Sequence, residues 1–356
     1  MFSRQRMLAR QRGVAVITAL LLTTLAITIV ASLFWEQQVQ VRSMENQRLH
    51  LQTKWILHGA LDWASLVLKQ DGWDNRDATT LKSVWNTPLA ETRLDQYIER
   101  ERVQNEVFDA TLSGHIVDAT SRLNLRNLAF NNAPAPLYVA IYKRLLESLH
   151  LDPSLAVSTA KAFAASMPAQ AVVAQGGASP GGTTSGSGAG TGAGTGSGSG
   201  AGTGAGATAV GSSSPAATLT FERLDDLLAI DGYTPEVIAK LHDFVIVLPE
   251  PTLVNVNTAP AEVLAALVEN YSVAQANALV SARERIPYFH KGEFGSQFIT
   301  QTKPNESTYD VKSNYFLVLS RVRLDRAALD AEALVHRGIN GLGANMDTNV
   351  VWIRQN

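Results

Sequence analysis

The sequence predicts an α+β protein: a long N-terminal helix that crosses a membrane and packs on an antiparallel sheet, with an all-helical subdomain inserted between the strands. Three observations predict it. An uncharged run from Val14 to Trp35 passes without a strong break into an amphipathic stretch that ends near Gln70. Strand-forming segments stand on either side of the middle of the chain, at Val107 to Asp118 and again from Tyr315 onward. The middle itself carries helix caps and apolar residues at helical spacing.

The N-terminal run has 22 residues with no charge, proline or glycine. At about 1.5 Å per residue it spans the roughly 30 Å hydrocarbon layer of a bilayer. Arg4, Arg6, Arg10 and Arg12 precede it and the first acid is Glu36, so the positive-inside bias places Met1 to Gly13 in the cytoplasm and the body outside. A cleavable secretory signal is the competing reading. Its apolar core should be about 7 to 15 residues and end at small residues, whereas this run is longer and ends Ser32-Leu33-Phe34-Trp35. From Val14 to Gln70 the one helix breaker is Gly59, so a helix of up to 57 residues can run from membrane to body. Ile56, Ala60, Trp63 and Val67 recur at steps of four, three and four, with Leu57, Leu61, Ala64 and Leu68 beside them. These form a broad apolar face that expects a partner layer.

Val107 to Asp118 alternates around Ser113-Gly114, which predicts a hairpin with a tight turn there. Tyr315 to Leu324 and Val350 to Ile353 predict strands at the other end. Between them, Leu137, Ile141, Leu145 and Leu149 recur every fourth residue. Asp152-Pro153, Thr234-Pro235 and Thr258-Ala259-Pro260 each offer a cap with proline in the first turn, and Ser272-Val273-Ala274-Gln275 is a capping box. Sixteen of the 26 glycines lie between Gly176 and Gly211, so the block 176–215 has too few large apolar side chains for a core and reads as a disordered Gly/Ser/Ala/Thr linker inside the insertion.

Several function classes find no support. The chain carries 30 basic and 32 acidic residues, and four of the basic ones precede the span. A net acidic body lacks the basic footprint of a nucleic-acid binder. The absence of cysteine removes disulfides, thiolate zinc sites and thiol nucleophiles. None of the seven histidines pairs with another at metal-ligand spacing, no Gly-x-Gly-x-x-Gly turn occurs, and the one Gly-x-Ser-x-Gly match, Gly177 to Gly181, falls in a low-complexity Gly/Ser-rich block and not between a strand and a helix, so no enzyme is indicated. Asp71, Asp74, Asn75 and Asp77 place hard oxygen donors close together after the long helix. They are readable either as calcium ligands, of which about six to eight oxygens are needed, or as a solvated loop with a turn at Asp71-Gly72.

Arg10-Gln11-Arg12-Gly13 followed by Val14-Ala15-Val16-Ile17 resembles a prepilin leader: a short basic segment ending in glycine, then the apolar helix. The resemblance implies cleavage between Gly13 and Val14 by a prepilin peptidase. It also implies a pilin-like fold. Pilin-like chains generally carry glutamate at the fifth mature position, and here that position is Thr18. That departure is similar to the large K-type minor pseudopilins of type II secretion. Asp118-Ala119-Thr120-Ser121-Arg122-Leu123-Asn124-Leu125 and Val254-Asn255-Val256-Asn257-Thr258-Ala259 resemble two further segments of that family, in the family's order.

The resemblance implies a cytoplasmic leader at 1–13 and a long helix whose transmembrane part is 14–35 and whose periplasmic part is 36–70. It then implies a first pilin-like α/β part at 71–128, an inserted helical subdomain at 129–308 and a second α/β part at 309–356. The implied place is the bacterial inner membrane and the periplasmic pseudopilus, at its tip. The implied partners are the I- and J-type minor pseudopilins, the major pseudopilin, the peptidase and the inner-membrane assembly proteins. Calcium is a further possibility by resemblance, with Asp71, Asp74 and Asp77 as candidates, although the acid-rich segment the family carries within the insertion is replaced here by Lys161-Ala162-Phe163-Ala164-Ala165-Ser166. A type IV minor pilin would share the leader. Leu253 to Phe294 also resembles the helix-hairpin-helix modules of DNA receptors, but its hairpin, Val268 to Ser272, has no glycine and carries Glu269. Read instead as a purely structural helical pair, the segment leaves Arg283 and Arg285 as solvated helix charges and not phosphate contacts.

Overall fold

A computed structural model describes residues 8–94, 110–167, 220–298, 303–339 and 346–355. The expected linker, together with Val107 and Phe108 of the expected hairpin, lies outside the described residues. The chain divides into two compact units. One comprises Met1–Asn124, Asp243–Ile246 and Thr252–Asn356, and the other Leu125–His242 with Val247–Pro251.

In the first unit, helix α1 runs from Leu8 to Asp74, 67 residues and about 100 Å. Its apolar span is fully exposed, whereas Leu57, Leu61, Ala64 and Leu68 are buried against a sheet. The buried stripe is therefore the row beside Ile56, Trp63 and Val67. Trp63 itself turns outward. The sheet has five antiparallel strands in chain order: β1 (Leu89–Arg93), β2 (Ala110–Asp118), β3 (Tyr315–Leu324), β4 (Ala327–Ile339) and β5 (Met346–Gln355). One face presents Ile116, Phe316, Val318, Val322, Leu329, Ala331, Ala333 and Val335 to α1 and Trp85. The opposite face also buries Leu317 and Leu334, which pair across β3 and β4, so this part of the sheet departs from simple in–out alternation.

The hairpin expected at Ser113-Gly114 does not form. β2 runs straight through both residues and pairs with β3 from Ala110↔Leu324 to Asp118↔Phe316. Gly114 is needed for a different reason. A Cβ there would lie 2.5 Å from the Leu319 carbonyl oxygen, so glycine permits close approach of the neighbouring strand. The true loop of this hairpin is the whole excursion from Asp118 to Tyr315, which leaves and re-enters the sheet at one place.

That excursion is not one body. Helices α5 (Ala261–Leu267), α6 (Val273–Arg285) and α7 (Lys291–Gly295), all within the insertion expected at 129–308, belong to the same compact unit as the sheet. The expected capping box forms at α6: Ser272 N donates to Gln275 Oε1 (2.9 Å), and Gln275 N donates to Ser272 Oγ. The second unit holds α2 (Pro136–Ser148), α3 (Leu155–Ser166) and α4 (Pro235–Leu241), the last capped by Thr234 as expected. Its core gathers Ile141, Tyr142, Leu145, Leu155, Ala160, Phe163, Leu227 and Leu241. Phe163 stacks on Phe221 with ring centroids 4.6 Å apart.

Candidate functional site

Two features of the first unit carry the residues singled out by sequence: the N-terminal part of α1, and a buried polar neck where the excursion joins the sheet.

Gly13 and Val14 lie within α1, and Val14 is exposed. Thr18 stands one turn later, and its hydroxyl lies within hydrogen-bonding distance of the carbonyls of Val14 (3.1 Å) and Ala15 (3.0 Å). Thr23, Thr24, Thr28 and Ser32 likewise donate to carbonyls three residues back. Every one of these hydroxyls is satisfied by its own helix. That is what permits polar residues on a surface facing hydrocarbon, where no water is available as a partner. No other helix among the described residues is long and apolar enough to cross a membrane.

At the neck, both motif segments converge on Asp118, which ends β2. Its Oδ1 accepts from Thr120 N (2.9 Å) and Thr120 Oγ1 (2.8 Å). Its Oδ2 accepts from Asn255 Nδ2 (3.1 Å), Thr258 Oγ1 and Ser313 Oγ. Five donors around one carboxylate allow it to be buried while charged. Asn255 Nδ2 also reaches the Thr79 carbonyl and Ser313 Oγ, while its Oδ1 accepts from Asn257 N. Asn257 in turn pairs with the backbone of Tyr288, donating to its carbonyl (2.8 Å) and accepting from its N–H (2.9 Å). Arg122, of the first motif, is half-buried, and burial lowers its pKa against the opposing pull of Asp243, Glu332 and Asp118.

The network continues through Thr79 to a buried ion pair. Arg337 of β4 donates to Asp71 Oδ2 (2.7 Å), to the Leu68 carbonyl, to Thr79 Oγ1 (2.9 Å) and to the Ser313 carbonyl, and it lies over the Phe316 ring. Asp71 and Arg337 are each 5% exposed. The last turn of α1, β4, and the segments around Thr79, Asp118, Asn255 and Ser313 are thus joined in one polar cluster.

This overturns the readings of Asp71-Gly72 as a turn or loop. The helix runs on to Asp74, and Gly72 is small because Met346 packs on it, its Cε 2.9 Å from where a Cβ would be. Asp71 gives one oxygen to Arg337 and the other to Asn75, Asp74 accepts from Gln70, and Asp77 is exposed. The three candidate calcium carboxylates are not brought together, and no group of three or more potential metal ligands gathers among the described residues. Arg283 is also corrected. It is buried rather than solvated, donates to the Val256 carbonyl (2.6 Å), and burial pushes its pKa down to about 10. Arg285 is exposed as expected. Asn270 closes the α5–α6 hairpin in the left-handed conformation (φ 55°), so asparagine supplies the turn geometry for which glycine was sought, and exposed Glu269 stands beside it.

Sequence reasoning missed Thr79, Ser313 and Arg337. For Arg337 a signal existed. Leu329, Ala331, Ala333 and Val335 alternate onto the core face, and Arg337 is the next residue of that row. Asp71 likewise follows Leu57, Leu61, Ala64 and Leu68 on α1. Opposite charges ending two facing apolar rows are the legible mark of a buried pair.

Comparison with known proteins agrees with this geometry. The family described as type II secretion system, protein K, matches residues 121–250 and 254–312, which together make up more than half of the chain and contain most of both neck motifs. The chain is 28% identical over 341 residues to the type II secretion system protein K of Pseudomonas aeruginosa, covering 93% of this chain and 90% of that one. In fold it is similar to a chain from the crystal structure of the GspK-GspI-GspJ complex of the enterotoxigenic Escherichia coli type 2 secretion system, with a TM-score of 0.53 and 17% identity over 88% of this chain and 99% of the other. A helix long and apolar enough to span a membrane laid on an antiparallel sheet, a hairpin opened by a large excursion, and a neck built from the two matched motifs have one common reading: the chain belongs to the type II secretion system protein K family.

Proposed function

We propose that this chain is a minor pseudopilin that sits at the tip of the periplasmic pseudopilus and helps initiate its assembly, as a structural component rather than an enzyme. Its partners are the I- and J-type minor pseudopilins, followed below by the major pseudopilin, with the secretion system's inner-membrane assembly proteins at the base. The similarity in fold to a chain of a three-protein complex supports the choice of partners. A prepilin peptidase removes Met1 to Gly13, the helix from Val14 anchors the protein in the inner membrane, and the body lies in the periplasm.

The observation that carries the tip position is Thr18. Cleavage creates an α-amino group at Val14, at least partly protonated near neutral pH. Burying that charge among apolar helices is costly unless a carboxylate lies nearby. A subunit added from below supplies the carboxylate through its fifth mature residue. Threonine carries no charge to offer, and its hydroxyl is already engaged with Val14 and Ala15 of its own helix. Such a subunit neutralises nothing above it, so the favoured place is first. A bulky excursion between β2 and β3 fits the same place, since steric conflict is least at an end.

Intact-mass measurement with and without the peptidase tests the processing. The mature chain begins at Val14, and Gly13→Leu blocks cleavage while leaving insertion intact. Site-specific crosslinking from position 18 tests the position: partners lie below only. Abundant protein along the shaft, flanked by subunits on both sides, refutes the assignment.

A further inference from the structure

Between α1 and the sheet lies a gap that the core does not fill. Gly114, Ser320 and Ala331 pair in one row across β2, β3 and β4, and all three are small. The rows on either side are bulkier: Leu112, Val322 and Leu329 on one, Ile116, Val318 and Ala333 on the other. Above the row, α1 contributes only Ala60 and Ala64, and the Leu319 carbonyl forbids a side chain at Gly114. What remains is a cavity of about 180 Å³, partly open to solvent, with Trp85 and Pro88 on its far side.

Two residues that line this apolar space hold buried polar atoms with nothing to bond. Trp85 is 1% exposed and Ser320 7%. Among the described residues neither the indole Nε1 of Trp85 nor the Oγ of Ser320 has a hydrogen-bond partner. The Trp85 ring stands edge-on to Phe316, with centroids 5.4 Å apart, so packing fixes its orientation. Buried polar groups without partners are rare in folded proteins because each is costly. Here two of them coincide with a void in an otherwise filled core.

That coincidence specifies an occupant. No aspartate, glutamate, lysine or arginine lines the cavity, so a charged guest would be buried without a counter-ion. An indole N–H can only donate and a hydroxyl can donate as well, so one oxygen with two lone pairs satisfies both. An apolar cavity of about 150 Å³ admits benzene, so this one has room for a single ring with a small substituent. A lone water fits less well, since it would find two partners where buried waters make about three. Ala60 and Ala64 stand 25 and 29 residues past Trp35, about 38 to 44 Å beyond the apolar run, so a guest enters from the aqueous side and not from the bilayer. We infer that the cavity binds a small neutral organic molecule, with an apolar body the size of one ring and one oxygen acceptor that takes the Trp85 N–H and the Ser320 hydroxyl. Aryl ketones belong to this class. The inference does not depend on where the chain sits in a pseudopilus.

The test titrates acetophenone into the full-length chain held in lipid nanodiscs, with the tryptophan indole nitrogens labelled for magnetic resonance. The Trp85 signal is identified by its loss in Trp85→Phe. Acetophenone should move the Trp85 N–H resonance downfield and saturably, as a new hydrogen bond does, while the other indoles stay in place. α-Methylstyrene has the same shape with a CH₂ in place of the oxygen. It should bind about tenfold more weakly and give no downfield shift. Ser320→Ala should weaken acetophenone about threefold to tenfold, since one of the two hydrogen bonds is lost. Ala60→Leu fills the cavity and should abolish saturation, and Ala64→Val, a smaller change, should give the same result if the leucine disturbs folding. The inference is overturned if acetophenone leaves the Trp85 resonance unmoved, as it would with a water already bound there. It is equally overturned if all indoles shift alike, which signals partition into the bilayer only, if α-methylstyrene binds as tightly as the ketone, or if saturation survives in the filled variants.

Discussion

The two compact units each bury a polar cluster, and they do so with opposite chemistry. In the sheet unit the cluster is charged: Asp118 with five donors, and Asp71 paired with Arg337. In the helical unit it is neutral. Thr159 Oγ1 donates to the Leu155 carbonyl (2.7 Å), which fixes the direction of the rest: Tyr233 donates to Thr159 (2.6 Å) and Tyr142 to Tyr233 (2.7 Å). The difference follows from what each holds. The neck must tie together segments from far apart in sequence, 266 residues in the case of Arg337 and Asp71, and ions with several hydrogen-bonding positions each can link many segments. The tyrosine chain only pins helices already brought together by apolar packing, and three hydroxyls suffice.

If that contrast is right, damage to the two clusters is graded. Arg337→Ala leaves Asp71 charged and buried without its partner, and the expected loss is the largest, about 3 to 5 kcal/mol. Urea denaturation of the detergent-solubilised chain measures it. Replacing both partners with apolar residues, as in Asp71→Leu with Arg337→Met, should cost less than Arg337→Ala alone. A loss under about 1 kcal/mol for Arg337→Ala would mean that the pair is not buried as described.

Asp118→Asn comes next. The amide puts N–H groups where five donors converge, so at least one is left without an acceptor, and about 1.5 to 3 kcal/mol should be lost. The sharper readout is local: hydrogen exchange should quicken around Asn255 and Ser313 while the helical unit stays protected. Uniform loosening of both units would break the comparison.

Tyr142→Phe removes only the first donor of the neutral chain, and about 1 kcal/mol is expected. The pH dependence also distinguishes the clusters. Burial raises the pKa of Tyr142 well above its ordinary value, and burial likewise raises that of Tyr233. Each group's contribution is fully present below the ordinary tyrosine value of about 10. It is lost as pH rises from there toward the raised folded value, because the unfolded chain releases the proton first. Rising alkalinity should therefore loosen the helical unit, and Tyr142→Phe should flatten that profile. A profile unchanged by the substitution would show that Tyr142 is not the group responsible.

The smallest effect is expected from deleting Gly182 to Gly211. That segment has almost no large apolar side chains, and loop-closure entropy changes slowly with length, so the melting temperature should hardly move. Unfolding on deletion would mean that the segment belongs to one of the two cores.

Local chemistry was legible without the fold. The membrane-crossing run, the amphipathic end of α1, the caps at Thr234 and Ser272, the strands at β3 and β5, and the motifs around Asp118 and Asn255 are written in neighbouring residues. Spacing of three and four, capping side chains and β-branched runs act over a few residues and leave their pattern there. The tertiary structure decided whatever depends on residues distant in the chain. It showed that Gly114 serves a strand crossing and not a turn, that Gly72 makes room for Met346, and that Asp71 pairs with Arg337. It also showed that Arg283 is sealed beneath Val256. In each case the sequence offered a residue with two plausible uses, and a partner brought close by folding chose between them. A glycine or a charge states what it can tolerate or needs, whereas the neighbour that satisfies it is fixed by packing, burial and desolvation, which no short window of sequence contains.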